Sequence, residues 1–166
     1  MVKIKHILVI LLVVIIGIWA AFTLFQSEEK KIKKEFNSLS EWVSKESEED
    51  AIAMFNRMRN IRALFHDSCG LKIPGQSISG SYTREEIGSY AAQGRSQFSH
   101  LNLIFYDLDI AFTEKEVAKV HLTARLIGRL TTGENVDEAH EIDCLLKKIE
   151  KKWLFTTIEV VEVLKK

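Results

Sequence analysis

The order of hydrophobic periods along the chain predicts an α+β fold. Up to about residue 98, apolar residues recur at steps of three and four, which is helical spacing. After His100 the period falls to two, and four strands follow at 101–112, 117–130, 136–149 and 153–164. Short connections between these strands predict an antiparallel meander, so we expect three helices packed on one face of a mainly antiparallel sheet.

An uncharged apolar run precedes the predicted domain. It covers residues 7–25 and follows a short tail, 1–6, that carries Lys3, Lys5 and His6. A helix over this run is roughly 28 Å long, close to the hydrocarbon thickness of a bilayer. A cleaved signal peptide needs small residues before its cut, which Ala21-Phe22-Thr23 supplies poorly. We therefore expect a retained transmembrane anchor that contacts the membrane through residues 7–25, ahead of one domain at 28–166.

Two arguments about orientation point in opposite directions. The cations nearest the run are Lys3 and Lys5 before it and Lys30, Lys31, Lys33 and Lys34 after it, a count that places the domain in the cytoplasm. Long domains, however, translocate largely regardless of charge, and a six-residue tail is easily retained. We expect a single-pass membrane protein with an extracytoplasmic domain on the periplasmic side, and the opposite orientation stays open.

The charge balance and the cysteines exclude two kinds of partner. Lysine plus arginine and aspartate plus glutamate both number 23, so no basic field favours nucleic acid. Cys69 and Cys144 lie far apart without metal-ligand spacing, and we expect no metal and no cofactor. The two cysteines are either buried thiols or, in an oxidising compartment, a disulfide.

Two amphipathic helices are predicted after the apolar run. The first begins at Glu28 and has an apolar stripe of Ile32, Phe36, Leu39 and Val43. The second opens at Ser47, with Asp50 three residues later as in a capping box, and ends at Cys69-Gly70. Its apolar stripe consists of Met54, Met58, Ile61 and Phe65.

A turn and a third helix connect these helices to the sheet. Pro74-Gly75 separates two short strand pieces at 71–73 and 76–79. Thr83 then precedes Glu86 by three residues, which forms a complete capping box at the start of a helix. We expect Ile87 and Tyr90 on the inner stripe of this helix.

Alternation along the strands separates an inner, apolar face of the sheet from an outer, charged face. Keeping the apolar sets together places Ile104, Tyr106, Leu108 and Ile110 beside Val120, Leu122 and Ala124, and Ile142, Cys144 and Leu146 beside those. The outer face then carries Asp107, Asp109, Lys119, His121, Arg125, Glu141 and Asp143. We expect Arg125 across from Asp143 or Glu141. These charges form a solvated ladder or a possible interface, because burial cannot tune their pKa values for catalysis there.

The order of elements resembles the nuclear transport factor 2-like superfamily, which includes SnoaL-like and ketosteroid isomerase-like proteins. The local match is residues 80–87, Gly-Ser-Tyr-Thr-Arg-Glu-Glu-Ile, together with Trp153-Leu154-Phe155 in the closing strand, and the resemblance extends from Glu28 to the C-terminus. It implies a curled sheet around the helices, forming a cone that often has a pocket at its open end. It also implies a dimer through the outer face, but not an enzyme.

The polar residues expected on the inner face are the candidate pocket residues: Tyr90, Tyr106, His140 and Cys144. No isomerase-type carboxylate falls on an inward position, and the sequence contains no Ser/His/Asp order or phosphate-binding glycine loop, so no catalytic residue is assigned. His140 is either a general base or a rim histidine that is hydrogen-bonded to a neighbour.

Two functions follow from these predictions. The first is a non-catalytic, membrane-tethered interaction or assembly module that contacts another envelope protein or a second copy. The alternative is a pocket-bearing domain that binds, isomerises or hydrates a small apolar ligand. An interior filled by Trp42, Phe55, Phe65 and Phe98 favours the first, and a deep apolar cavity with a few polar groups favours the second.

Overall fold

The computed structural model describes residues 2–46, 49–74 and 78–164, with side chains over these ranges except at 2–11, 20–25 and 162–164. The chain divides into two compact units, 1–34 and 35–166. Its helices are α1 (Val2–Val43), α2 (Ala51–Ala63) and α3 (Arg84–Ser96). Its strands are β1 (Phe65–Ile73), β2 (Ile78–Thr83), β3 (Phe98–Glu114), β4 (Val117–Leu130), β5 (Asn135–Ile149) and β6 (Lys152–Leu164).

The predicted α+β fold and its four-stranded meander are confirmed. Strands β3 to β6 pair antiparallel in chain order, and the six-stranded sheet runs β2-β1-β6-β5-β4-β3. The sheet is mixed, because β1 lies parallel to β6 while it pairs antiparallel with β2. The unit 35–166 therefore has one continuous sheet with β2 and β3 at its edges.

The membrane localisation predicted for the chain is wrong. Within the described residues, no helix is long and apolar enough to cross a bilayer, which takes about 20 consecutive apolar residues. Residues 7–25 instead form part of the 42-residue helix α1, which continues to Val43. The side chains of this run that are described, from Leu12 to Trp19, are exposed. After the run, Lys31 forms an ion pair with Glu28, one helical turn before it, at 2.7 Å.

The second helix is shorter than the sequence predicts. Asp50 accepts a hydrogen bond from the Ala53 amide at 2.6 Å and caps α2, while the predicted opening residue Ser47 lies outside the described residues. The helix ends at Ala63, so Phe65 begins strand β1 and Cys69-Gly70 lies inside that strand. Pairing with both β2 and β6 satisfies the backbone of this segment, which outweighs its helical spacing of apolar residues.

The third helix begins as predicted. The Thr83 hydroxyl accepts from the Glu86 amide at 3.2 Å, and the Glu86 carboxylate accepts from the Thr83 amide at 2.8 Å. The Glu86 carboxylate also accepts from the Thr83 hydroxyl at 2.9 Å, and the hydrogen bonds from the Thr83 amide and hydroxyl lower the pKa of Glu86. Ile87 and Gly88 are buried, and Gly88 lets Arg62 of α2 lie against the helix, because a Cβ there would be 2.4 Å from Arg62 Nε.

A β-bulge in β3 reverses part of the predicted face assignment. The pairing of β3 with β4 shifts between Tyr106 and Asp109, and Asp107 has φ 54°. On the C-terminal side of the bulge, Ile110 pairs with Val120 on the inner face as predicted. On the N-terminal side, Tyr106 pairs with Thr123 on the outer face, so the inward assignment of Tyr106 and Ile104 is wrong. One extra residue in an edge strand exchanges the faces of everything before it.

The core lies between the C-terminal part of α1 and the inner face of the sheet. Phe36 packs edge-on against Phe105 and Phe155, with ring centroids 5.4 and 5.0 Å apart. Phe65 packs against Phe155 at 5.4 Å. The alternating residues Ala118, Val120 and Leu122 of β4 are fully buried, as their pattern predicts.

Candidate functional site

An apolar cavity that is partly open to solvent adjoins this core. Its volume is about 160 Å³, and its lining exposes no polar surface. The lining side chains come from the C-terminal part of α1 and from β3 to β6: Phe36, Leu39, Leu103, Phe105, Leu122, Ala124, Ile142, Cys144, Phe155 and Ile158. Two residues that the sequence offers as core fillers do not fill it, since Phe55 is 65% exposed and Phe98 is half-buried.

Cys144 is the only predicted pocket residue that lines the cavity. It is 3% exposed, and burial raises the pKa of its thiol far above the ordinary range. Cys69 is also buried, and burial raises its pKa to about 12. Both thiols are free, because β6 lies between β1 and β5 and separates them by roughly 9.6 Å of sheet, more than a disulfide spans.

His140 lies at the edge of the same inner face. Its partner in the register is Ala124, and Ile142 is the next inward residue along β5; both residues line the cavity. The imidazole Nε2 is 3.2 Å from Glu138 Oε2, and a quarter of the side chain is exposed. The other ring nitrogen, Nδ1, is buried and makes no hydrogen bond to the described part of the chain.

The two predicted pocket tyrosines lie away from the cavity. Tyr90 of α3 is 44% exposed and packs edge-on against Tyr82, with ring centroids 5.6 Å apart. Tyr106 is 41% exposed, because the β-bulge turns it to the outer face. Of the four candidates, only Cys144 therefore lines the cavity, and His140 lies on the same face of β5 outside the lining.

The outer face carries a hydrogen-bonded charge cluster that consists of Asp143, His121 and Lys119. His121 Nδ1 lies 2.7 Å from Asp143 Oδ1, and Lys119 Nζ lies 3.3 Å from Asp143 Oδ2. The hydrogen bond from His121 and then that from Lys119 lower the pKa of Asp143. Asp109 pairs in register with His121 from the other side, so two acidic strands flank a basic one as the sequence predicts.

The partner predicted for Arg125 is wrong. Arg125 makes two hydrogen bonds to the Asp137 carboxylate, each 2.8 Å long, and these raise its pKa. Its register partner is Ala139, while Glu141 lies across from Thr123. Ala139 lies two residues from Glu141 and four from Asp143 along β5, so the predicted face is kept but the predicted neighbour changes.

A second, polar hollow lies beside the C-terminal end of α1. Its volume is about 470 Å³, and Lys45, Glu46, Arg57 and His100 are among its lining residues. Many of its polar groups already serve the fold: Lys45 Nζ donates to the Phe98 carbonyl at 2.8 Å, and Arg57 donates to the Glu41 carbonyl at 2.7 Å. We therefore take the apolar cavity, not this hollow, as the candidate site.

Sequence reasoning missed a buried arginine near this hollow. Arg95 is 3% exposed, donates to the Val43 carbonyl at 2.9 Å and pairs with Glu49 at 2.9 Å. Glu49 also pairs with Arg57 at 2.7 Å. The sequence signal for Arg95 is only that of a basic residue in the last turn of a helix, which usually lies in solvent.

The fold described above recurs in solved structures of distant proteins. The Kfla4162 protein from Kribbella flavida matches with a TM-score of 0.70 at 10% identity, over 84% of this chain and 93% of that one. The chain has the nuclear transport factor 2-like fold, since a candidate dehydratase from Streptomyces avermitilis that is described as a member of that family matches with a TM-score of 0.64 at 11% identity, over 84% and 99% of the two chains. A candidate scytalone dehydratase from Novosphingobium aromaticivorans matches at 0.63 with 17% identity, over 84% and 86% of the two chains. A type 2 hexachlorocyclohexane dehydrochlorinase matches at 0.66 with 12% identity, over 84% and 90%.

These likenesses confirm the fold that the sequence resemblance implies. No protein-family model and no curated protein matches the sequence. At identities of 10 to 17%, the shared property is the arrangement of helices and strands. Any activity has to be argued from the cavity itself.

Proposed function

We propose that this chain binds a small apolar molecule in the cavity between the C-terminal part of α1 and the inner face of the sheet. The observation that carries the proposal is an apolar cavity of about 160 Å³ that is partly open to solvent and is lined by side chains of the core. Protein interiors seldom leave voids larger than a water molecule, since each void costs packing energy. A partly open apolar cavity of this size is therefore a candidate binding site.

The size of the cavity indicates the size of the ligand. An apolar cavity of about 150 Å³ is large enough to hold benzene. The aromatic rings of Phe36, Phe105 and Phe155 line the space and offer edges and faces to a flat ring. A single ring, or an aliphatic molecule of similar volume, fits these walls.

The lining favours binding over catalysis. Cys144 is the only lining residue with a titratable side chain, and burial raises its pKa so that it stays a neutral thiol at neutral pH. A neutral thiol is a weak nucleophile and does not act as a general base. Two structural neighbours are named as a dehydratase and a dehydrochlorinase, both of which act on small organic molecules. Their names support a small organic ligand for this cavity, and the lining favours binding without a reaction.

The test is to titrate the full-length protein with benzene and with toluene. Calorimetry and the nuclear magnetic resonance shifts of methyl groups in the core measure binding. Ala124→Leu places three extra carbons in the cavity, and we expect it to weaken binding at least about tenfold, which corresponds to about 1.4 kcal/mol. Ala111→Leu adds the same atoms to an exposed position on β3 and should leave binding unchanged.

Two outcomes would overturn this proposal. One is that neither hydrocarbon binds at concentrations up to its solubility. The other is that Ala124→Leu and Ala111→Leu bind both hydrocarbons as well as the wild type does, although circular dichroism shows that both are folded. The second outcome would move the binding site away from the cavity.

A further inference from the structure

We infer that the cavity selects an aromatic ligand over a saturated ligand of similar size, and that Phe105 is the residue that makes this selection; the inference rests on the proposed function. Phe105 lies on the inner face of β3, and its register partner is Ala124 of β4. Both residues line the cavity. Because the side chain of Ala124 is a single methyl group, it leaves room for a ligand beside the ring of Phe105.

Among the aromatic rings of the lining, that of Phe105 keeps the most surface for an entering molecule to contact. Three phenylalanine rings line the cavity, and two of them, Phe36 and Phe155, are 1% and 0% exposed. Phe105 is half-buried. Three aliphatic residues of the lining are half-buried as well: Leu103, Ile142 and Ile158. A ligand that enters from solvent therefore meets aliphatic side chains and one accessible aromatic ring.

The β-bulge in β3 places this ring in the cavity. On the C-terminal side of the bulge, Ile110 pairs with Val120. Continued from there without the extra residue, the strand would place Tyr106 across from Ala124. The extra residue places Phe105 there instead. The ring across from Ala124 therefore has no hydroxyl, so it offers a ligand an aromatic surface and no hydrogen bond.

Contact with an aromatic ring distinguishes aromatic ligands from saturated ones. A phenyl ring is electrically negative on its faces and positive at its edge, so two rings attract each other edge to face or in an offset stack. Phe105 already makes an edge-to-face contact with Phe36, with ring planes at 83°. A ligand ring beside Phe105 can add a second contact of this kind. A saturated ring gains only the burial of its apolar surface.

The experiment compares benzene with cyclohexane and toluene with methylcyclohexane, on the full-length wild type and on Phe105→Leu. The two members of each pair lose different amounts of free energy on leaving water. The measured quantity is therefore the change in their affinity ratio between wild type and variant, from which that difference cancels. One aromatic pair contributes about 2- to 12-fold in affinity, so we expect Phe105→Leu to lower the ratio of aromatic to saturated affinity by about fivefold.

Two variants control for effects other than the ring of Phe105. Ile158→Val enlarges the cavity by one methyl group and keeps all three rings, so it should change both affinities by a similar factor and leave their ratio as it is. Phe112→Leu makes the same exchange at a ring outside the lining, which packs against Trp153 at 6.0 Å, and should also leave the ratio as it is. Nuclear Overhauser contacts between benzene and the ring protons of Phe105, expected in the wild type, locate the ligand without any variant.

The outcomes separate this inference from the proposal on which it rests. If the probes bind but Phe105→Leu, shown by circular dichroism to be folded, leaves the ratio unchanged, the selection is overturned and the cavity proposal stands. The role of Phe105 is also overturned if Phe112→Leu or Ile158→Val lowers the ratio as much, or if bound benzene shows no Overhauser contact with Phe105. If none of the four probes binds, both proposals are overturned.

Discussion

The inner and outer faces of strand β4 differ in the interactions that their side chains make. On the inner face, Val120 and Leu122 are buried among apolar side chains, so a polar or charged group there would lose its contact with water without gaining a partner. On the outer face, Lys119 and His121 share the Asp143 carboxylate in contact with water. Burying apolar side chains stabilises the fold, and a polar group in their place destabilises it. Exposed ion pairs contribute little to stability, so their residues can be replaced at small cost.

The largest expected difference between the faces concerns a carboxylate placed on each. Leu122→Asp buries a charge with no partner at a position that is 1% exposed, and we expect the protein not to fold. Lys119→Asp changes an exposed residue three positions earlier and should lower the free energy of unfolding by about 1 kcal/mol or less. Urea denaturation followed by circular dichroism measures both. Equal midpoints for the two variants would reverse the assignment of the faces.

A second comparison uses the reactivity of thiols. Cys69 and Cys144 are both buried. Because the pKa of Cys69 is raised to about 12, the fraction of Cys69 present as thiolate is on the order of 10³-fold lower than that of a free cysteine. We expect neither to react with iodoacetamide in the native protein, and both to react once denaturant unfolds it. Lys147→Cys introduces an exposed thiol next to buried Leu146 and should be alkylated at once. Rapid alkylation of Cys144 in the native protein would contradict a closed inner face.

The outer cluster should respond to pH. Because hydrogen bonds from His121 and Lys119 lower the pKa of Asp143, the folded state binds its proton less tightly than the unfolded chain does. This stabilisation is present above the unfolded pKa, about 3.9, and is lost as the pH falls through the lower folded value. Asp143→Asn should therefore cost at most about 1 kcal/mol at pH 7, with a smaller cost at pH 3, as measured by urea titrations. A cost that does not change with pH would show that the charge of the Asp143 carboxylate does not stabilise the protein.

The smallest effect is expected at Arg125. We predict weak self-association of the protein through the outer face, as the family resemblance implies, and Arg125→Glu should reduce it by placing a second negative charge beside Asp137. Sedimentation velocity over a range of concentrations compares this variant with the wild type, while the denaturation midpoint should change little because the pair is exposed. A wild type that stays monomeric at the highest concentrations would end the interface prediction for this face.

Much of the fold could be predicted because it depends on local patterns. The bounds of β4 were predicted to the residue, since Ala118 to Ala124 alternate without interruption and a slip by one residue would expose the whole apolar set. The start of α3 follows from Thr83 and Glu86, whose side chains satisfy amides within the same turn. The same alternation places Val120 and Leu122 on one face with Ile142 and Cys144, but it does not fix which of them pair, because a shift by two residues keeps every side chain on its face.

The sequence alone therefore determined the α+β class, the meander and the apolar face of its middle strands, because these features depend on neighbours within a few residues. Tertiary structure decided the rest. The bulge at Asp107 turned Tyr106 outward, and pairing with β6 made a strand of Phe65 to Gly70. The cavity depends on how Phe36 of α1 meets Phe105 and Phe155 of the sheet, which is a matter of volumes left between distant segments. No periodicity along one segment records the space that several segments leave between them.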